Sequence, residues 1–246
     1  SGDRPAIPCE TMGVITFNSH GTAESVAEIV MGNTNPDAPM TARPTPCDSR
    51  SRKYAVAFHT HFFDKDRHFN VPTVQDVVMF CAYNAASRYF REVAGRPNWE
   101  ERQAELVITE LGVYVIHIQL DMKGETLVDY ILKNDLQASN VQRAAGAAGQ
   151  TEEGAVERIA LQAVENFFRE GYFKDKLLTR FPNLEDIDVA RNEKAVEFMQ
   201  NASARDEYLG MFEDAGITVS FIPWGNVVRL DIHQDHPLSR ALSAPF

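Results

Sequence analysis

The stretch Lys53-Tyr54-Ala55-Val56-Ala57-Phe58-His59-Thr60-His61 limits what this chain can fold into more than any other segment. It reads as a strand that ends in two histidines. Successive strand side chains point to opposite faces, so His59 and His61 share one face while Tyr54, Val56 and Phe58 fill the other. A polar loop follows from Phe62 to Pro72. A helix is then predicted over about Thr73 to Val93, with Val77, Val78, Cys81, Ala85, Tyr89 and Val93 on its inner side and Gly95-Arg96-Pro97 as the stop.

Around this unit the pattern mixes strands and helices, which places the chain in the α/β (α+β) class. Met12 to Phe17 reads as a short strand. Thr22 to Met31 carries Ala23, Val26, Ala27 and Val30 at the spacing of one helical face and is expected to be a helix. Asn33 to Arg52 is rich in Pro, Asn, Asp and Ser and reads as a long loop. Glu105–Thr109 and Val113–Gln119 are β-rich runs that Leu111-Gly112 joins as a hairpin, and Glu125–Leu136 looks helical. Residues 1–143 are therefore expected to form a first domain. The low-complexity stretch Ala144-Ala145-Gly146-Ala147-Ala148-Gly149-Gln150 is the best candidate linker. Residues 151–246 read as a mainly helical extension, with helices near Ala155–Glu170 and Asn192–Asp214. A terminal hairpin, Ile217–Ile222 and Val227–Ile232 around Pro223-Trp224-Gly225-Asn226, is free to return to the first sheet.

Charge excludes one class of partner. Over 246 residues the net charge is −11, which argues against nucleic acid, since that needs a basic footprint. The excess is concentrated in residues 125–246, with 12 basic against 20 acidic side chains, and a solvated acidic face accounts for it. Cys9, Cys47 and Cys81 have no CxxC spacing and form no framework, so a reducing, intracellular setting is expected. No run approaches the ~18 apolar residues of a membrane helix, so no membrane association is expected.

Two imidazoles at a strand end and a carboxylate on the next helix form a three-ligand set with a position left for water, the usual form of a catalytic zinc site. The candidate ligands are His59, His61 and Asp76. Thr73 and Asp76 also fit a plain capping box, with the threonine hydroxyl satisfying a backbone N–H. Capping and ligation can coexist through different atoms.

Phe58-His59-Thr60-His61 followed by Pro72-Thr73-Val74-Gln75-Asp76-Val77 resembles the His-x-His…Ser-x-x-Asp motif of the JAMM (MPN-plus) metalloproteases. The likeness covers roughly residues 10–135. It implies a cytidine-deaminase-like mixed sheet flanked by helices, with Zn2+ held by His59, His61 and Asp76. It also implies a protein or peptide substrate, such as a ubiquitin or ubiquitin-like conjugate, cleaved at an (iso)peptide bond by metal-activated water. Thr73 stands where the family has a serine that supports the oxyanion. Cys9-Glu10-Thr11-Met12-Gly13-Val14-Ile15 resembles the context of the family's general base, which makes Glu10 the catalytic candidate. An exposed carboxylate at a strand edge is the plain alternative for Glu10. The segment between His61 and Asp76 is longer than in the family motif, and Phe62 replaces the proline after the second histidine.

Two other functions compete. The same fold with an incomplete site would serve as a non-catalytic scaffold or binding module. A metallohydrolase of the PHP or amidohydrolase type also begins with His-x-His, but it needs further His and Asp ligands at later strand ends, where this chain offers only His117, His233 and His236. Asp64, Asp66 and His68 read as solvated loop charge. Phe167-Phe168 and Tyr172-Phe173 read as core, and Trp224 as either turn packing or an exposed anchor for a partner.

Overall fold

In the computed structural model, residues 11–17, 23–31, 56–61, 71–99, 101–109, 111–118, 126–170 and 202–226 are described, with the isolated residues 175 and 179. Among these residues, six strands form one mixed sheet: β1 (Thr11–Phe17), β2 (Ala23–Met31), β3 (Val56–Thr60), β4 (Ala104–Ile108), β5 (Gly112–Ile118) and β6 (Ile217–Pro223). Their spatial order is β2-β1-β3-β4-β5-β6. Only β3 and β4 run parallel; every other neighbouring pair is antiparallel. A parallel pair needs a crossover. Here it is α1 (Val74–Arg88), which continues as a π-helical turn over Tyr89–Val93. The left-handed Gly95 (φ 66°) then ends it, at the predicted stop.

The helix expected over Thr22–Met31 is instead β2, paired along its length with β1. The cause of the misreading lies in the register. It shifts between Met12 and Gly13 and again between Thr16 and Phe17, so Ile29 and Glu24 fall between paired positions. Two extra residues break the two-residue alternation, and the remaining apolar spacing imitates a helical face. The hairpin of β4 and β5 forms as expected.

The alanine–glycine stretch expected as a linker is the end of a helix. α2 (Leu127–Asn134) is followed by α3 (Ala138–Ala148), whose C-cap Gly149 is left-handed at φ 59°. α4 (Glu152–Glu170) begins directly afterwards. Alanine is the best helix former, so a run of it favours helix even where low complexity suggests a spacer. Of the helix expected over Asn192–Asp214, the described part is α5 (Ala202–Gly210) and a 3-10 turn, Met211–Ala215. β6 joins the sheet beside β5, while Val227–Ile232 and Tyr172-Phe173 lie outside the described residues.

The main core lies between α1, α4 and one sheet face, and holds Val77, Phe80, Cys81, Tyr89, Phe90, Val107, Tyr114, Ile116, Val164, Phe168 and Phe212. The opposite face buries Val56, Phe58, Ala104, Leu106, Val113 and Val115. α1 is therefore apolar nearly all round, because the sheet takes one side and other helices the rest. Burying each such Val or Phe stabilises the fold by about 1.5–3 kcal/mol. Among the described residues, no helix is long and apolar enough to cross a membrane.

Candidate metal centre

β3 and β4 end side by side. The ladder continues one step past β3, where the His61 amide donates to the Ile108 carbonyl at 2.8 Å. The carboxyl ends of parallel strands face the N-terminus of the crossover helix, so the histidines and the first turn of α1 meet there. Thr73 is the N-cap of α1, in extended backbone (φ −82°, ψ 164°). Its Oγ1 accepts from the Asp76 amide at 3.2 Å, and its own amide donates to Asp76 Oδ2 at 2.6 Å. The hydroxyl also donates to Oδ2, at 3.0 Å. The capping box thus fixes the Asp76 rotamer, with Oδ1 toward His59 and Oδ2 toward His61.

Three candidate ligand side chains converge. His59 Nε2 lies 3.2 Å from His61 Nε2 and 3.3 Å from Asp76 Oδ1, and His61 Nε2 lies 3.4 Å from Asp76 Oδ2. Zinc bonds of about 2.0–2.1 Å at tetrahedral angles put neighbouring ligands roughly 3.3–3.4 Å apart. The His59–His61 and His59–Asp76 Oδ1 separations match that edge length, and one ligand atom from each residue lies within 4.8 Å of the others, so these residues can hold a divalent ion. Among the described residues this is the one group of its kind.

Each ring is held from behind. His61 Nδ1 is 3.2 Å from the Val71 carbonyl oxygen, which can only accept, so Nδ1 carries the proton and Nε2 offers its lone pair inward. His59 Nδ1 is 2.9 Å from Glu105 Oε1 on β4. Arg102 Nη1 donates to the other Glu105 oxygen at 2.9 Å. A ligating histidine whose second nitrogen donates to a carboxylate or carbonyl is the common arrangement around bound metals.

Electrostatics favour a cation in the centre. Burial works against a charged imidazole at His59, but the carboxylates of Asp76 and Glu105 outweigh it and raise its pKa to about 10. Burial likewise works against the Asp76 carboxylate, and the two histidines hold it well below the usual carboxylate range. Glu105, also opposed by burial, is lowered by Arg102 and His59. A proton on His59 thus occupies a place that a divalent ion can take, and ligation requires its release. The side chains of His61 and Glu105 are 3% and 6% exposed, against 12% for His59 and 15% for Asp76. The centre is therefore least buried on the His59–Asp76 side.

Glu10 lies outside the described residues. Thr11, which follows it directly, donates its amide to Thr60 Oγ1 at 2.9 Å, and Met12 pairs with His59 across the sheet. Asp64, Asp66, His68, His233 and His236 also lie outside the described residues. His117 pairs with Thr218 near the far end of β5, away from the histidine pair. Trp224 is 57% exposed, and its indole N–H donates to the Thr109 carbonyl at 3.1 Å.

Sequence reasoning missed Glu105, Arg102 and Val71. Glu105 left a trace as the one charge inside the apolar run Ala104–Ile108. Its facing direction depended on the β3–β4 register, in which it pairs with Ala57 and so shares the face of His59. Val71 acts through its backbone, which side-chain identity does not reveal.

No family model, no curated protein and no solved structure matches this chain.

Proposed function

We propose that this chain is a zinc-dependent hydrolase of peptide or isopeptide bonds, with a JAMM-like arrangement of its sheet, crossover helix and metal ligands. The observation that carries this reading is the convergence of His59, His61 and Asp76, whose ligand atoms lie within 4.8 Å of one another, with His59 Nε2 3.2 Å from His61 Nε2 and 3.3 Å from Asp76 Oδ1. Zinc bound there supplies a Lewis acid that lowers the pKa of a water to near ~7 and polarises a carbonyl. His59 and His61 serve as neutral ligands through Nε2, because their Nδ1–H groups donate to Glu105 and to the Val71 carbonyl. Asp76 adds the negative charge, and Thr73 orients it.

Glu10 is the proposed general base. It directly precedes Thr11, whose amide is tied to Thr60 between the two histidines, and it lies two positions before Met12, the partner of His59. A base must reach the water's proton directly or through one water. The proposed substrates are proteins or peptides, with ubiquitin-like conjugates as the first class to assay.

Zinc content and cleavage test this directly. Metal-reconstituted protein is expected to hold one zinc per chain, and His61→Ala to hold none. Glu10→Ala should keep zinc and lose cleavage of ubiquitin-like isopeptide conjugates. A wild-type chain without stoichiometric zinc would sink the enzymatic reading in favour of a scaffold. Undiminished cleavage by Glu10→Ala would remove Glu10 from the mechanism.

A further inference from the structure

Glu105 is a buried carboxylate with both oxygens committed. Oε1 lies 2.9 Å from His59 Nδ1, and Oε2 accepts from Arg102 Nη1 at 2.9 Å. Arg102 is itself tied to α1. Its backbone amide donates to Asn84 Oδ1 at 2.7 Å, and its guanidinium lies 4.0 Å from the centroid of the Tyr83 ring. α1 also carries Asp76. The Arg102–Glu105 pair therefore links the strand behind His59 to the helix that presents the third ligand, with both side chains almost wholly out of water. Packing alone does not require this. Ion pairs removed from water lose much of their attraction to desolvation, and apolar residues of similar volume are often as stable.

We infer that Glu105 is a positioning residue for the metal centre, with Arg102 as its anchor. The carboxylate holds the His59 ring on its Nδ1–H, so that Nε2 alone faces the ion, and it raises the basicity of that ligand. Arg102 neutralises the second oxygen and keeps Glu105 from turning inward as a fourth ligand, which leaves the open position to water. This rests on the metal-centre reading above and adds to it which buried residues set metal affinity.

The test measures zinc affinity by chelator competition for the wild-type chain, Glu105→Gln, and the double variant Glu105→Met with Arg102→Met. The double variant removes both charges together, so neither is left unpaired. Zinc binding is expected to weaken by about 10–100-fold in both. The visible spectrum of the cobalt(II) form should shift, while the metal-free double variant melts as the wild type does. A double variant that melts normally and binds zinc as tightly as the wild type would overturn the inference. A second measurement needs no variant: 15N-histidine NMR of the zinc-loaded wild type should show His59 ligated through Nε2 with a protonated Nδ1, and ligation through Nδ1 would overturn it. A wild-type chain that takes up no zinc defeats the metal reading itself, which separates the two failures.

Discussion

The Tyr208 hydroxyl donates to the carbonyl oxygen of Pro72 at 3.0 Å, in a fully buried contact between residues 136 positions apart. Pro72 follows Val71, whose carbonyl faces His61, and precedes Thr73, which caps α1. α5 thus holds the Val71–Thr73 segment, which contacts His61 and caps the helix that carries Asp76. Tyr208→Phe leaves that carbonyl buried without its donor. We expect a loss of about 1–3 kcal/mol. For a chain of this size, that is roughly 2–4 °C of melting temperature per kcal/mol. Differential scanning calorimetry checks it, and an unchanged melting temperature would show that the contact contributes nothing.

Thr73 makes both capping interactions at the start of α1. Thr73→Ala should cost about 1 kcal/mol, and Thr73→Ser should recover most of it, because the serine hydroxyl keeps the same contacts. The alanine variant should also bind zinc more weakly, since Asp76 Oδ2 loses a donor. Denaturant melts together with zinc titrations read both effects, and equal zinc affinity in all three chains would argue against orientation through Thr73.

Glu101 sits between Arg88 and Arg91. Arg88 Nη2 donates to its Oε2 at 2.7 Å, and Arg91 contacts its Oε1. Burial opposes the charge, and the two arginines outweigh it, lowering its pKa. A carboxylate lowered on folding adds stability that is fully present above its ordinary pKa and is lost as pH falls through the lowered one. Glu101→Gln should therefore be less stable than wild type at neutral pH, with the gap closing below roughly pH 4. Thermal melts across that range decide it; a gap that persists at low pH would assign the effect to packing.

Gly112 opens β5 where β6 ends. A Cβ built there would lie 2.3 Å from the Ile222 carbonyl oxygen and 2.8 Å from the Pro223 Cα, both backbone atoms. Gly112→Ala should destabilise by about 1–3 kcal/mol and selectively deprotect the β6 amides in hydrogen exchange. Gly210 in α5 has open space at the same test, so Gly210→Ala serves as a control expected to be neutral or mildly stabilising. Retained β6 protection in Gly112→Ala would contradict the close approach.

How far the fold could be read in advance depended on whether information was local. The strand at Val56–Thr60, the helix from Val74 and the β4–β5 hairpin carry their own periodicity, caps and turn, and all three formed where expected. β2 did not, because its pattern is set by bulges that exist only in pairing with β1. At the candidate site, His59, His61 and Asp76 were legible from spacing, since strand alternation and a helix's first turn fix which way they face. Glu105 was not, because parallel register between strands separated by a whole helix leaves no local mark.

The return of β6 to the sheet also governs how the chain is made. Ile118 and Ile217 are neighbours across the sheet, yet roughly a hundred residues separate them, which is the kind of distant pairing that slows folding. During synthesis, the hydrogen-bonding edge of β5 stands open until β6 has left the ribosome. An open edge is a template for pairing with another chain. Residues 125–216, which emerge during that interval, carry 10 basic and 18 acidic side chains, and like net charge disfavours such pairing between copies.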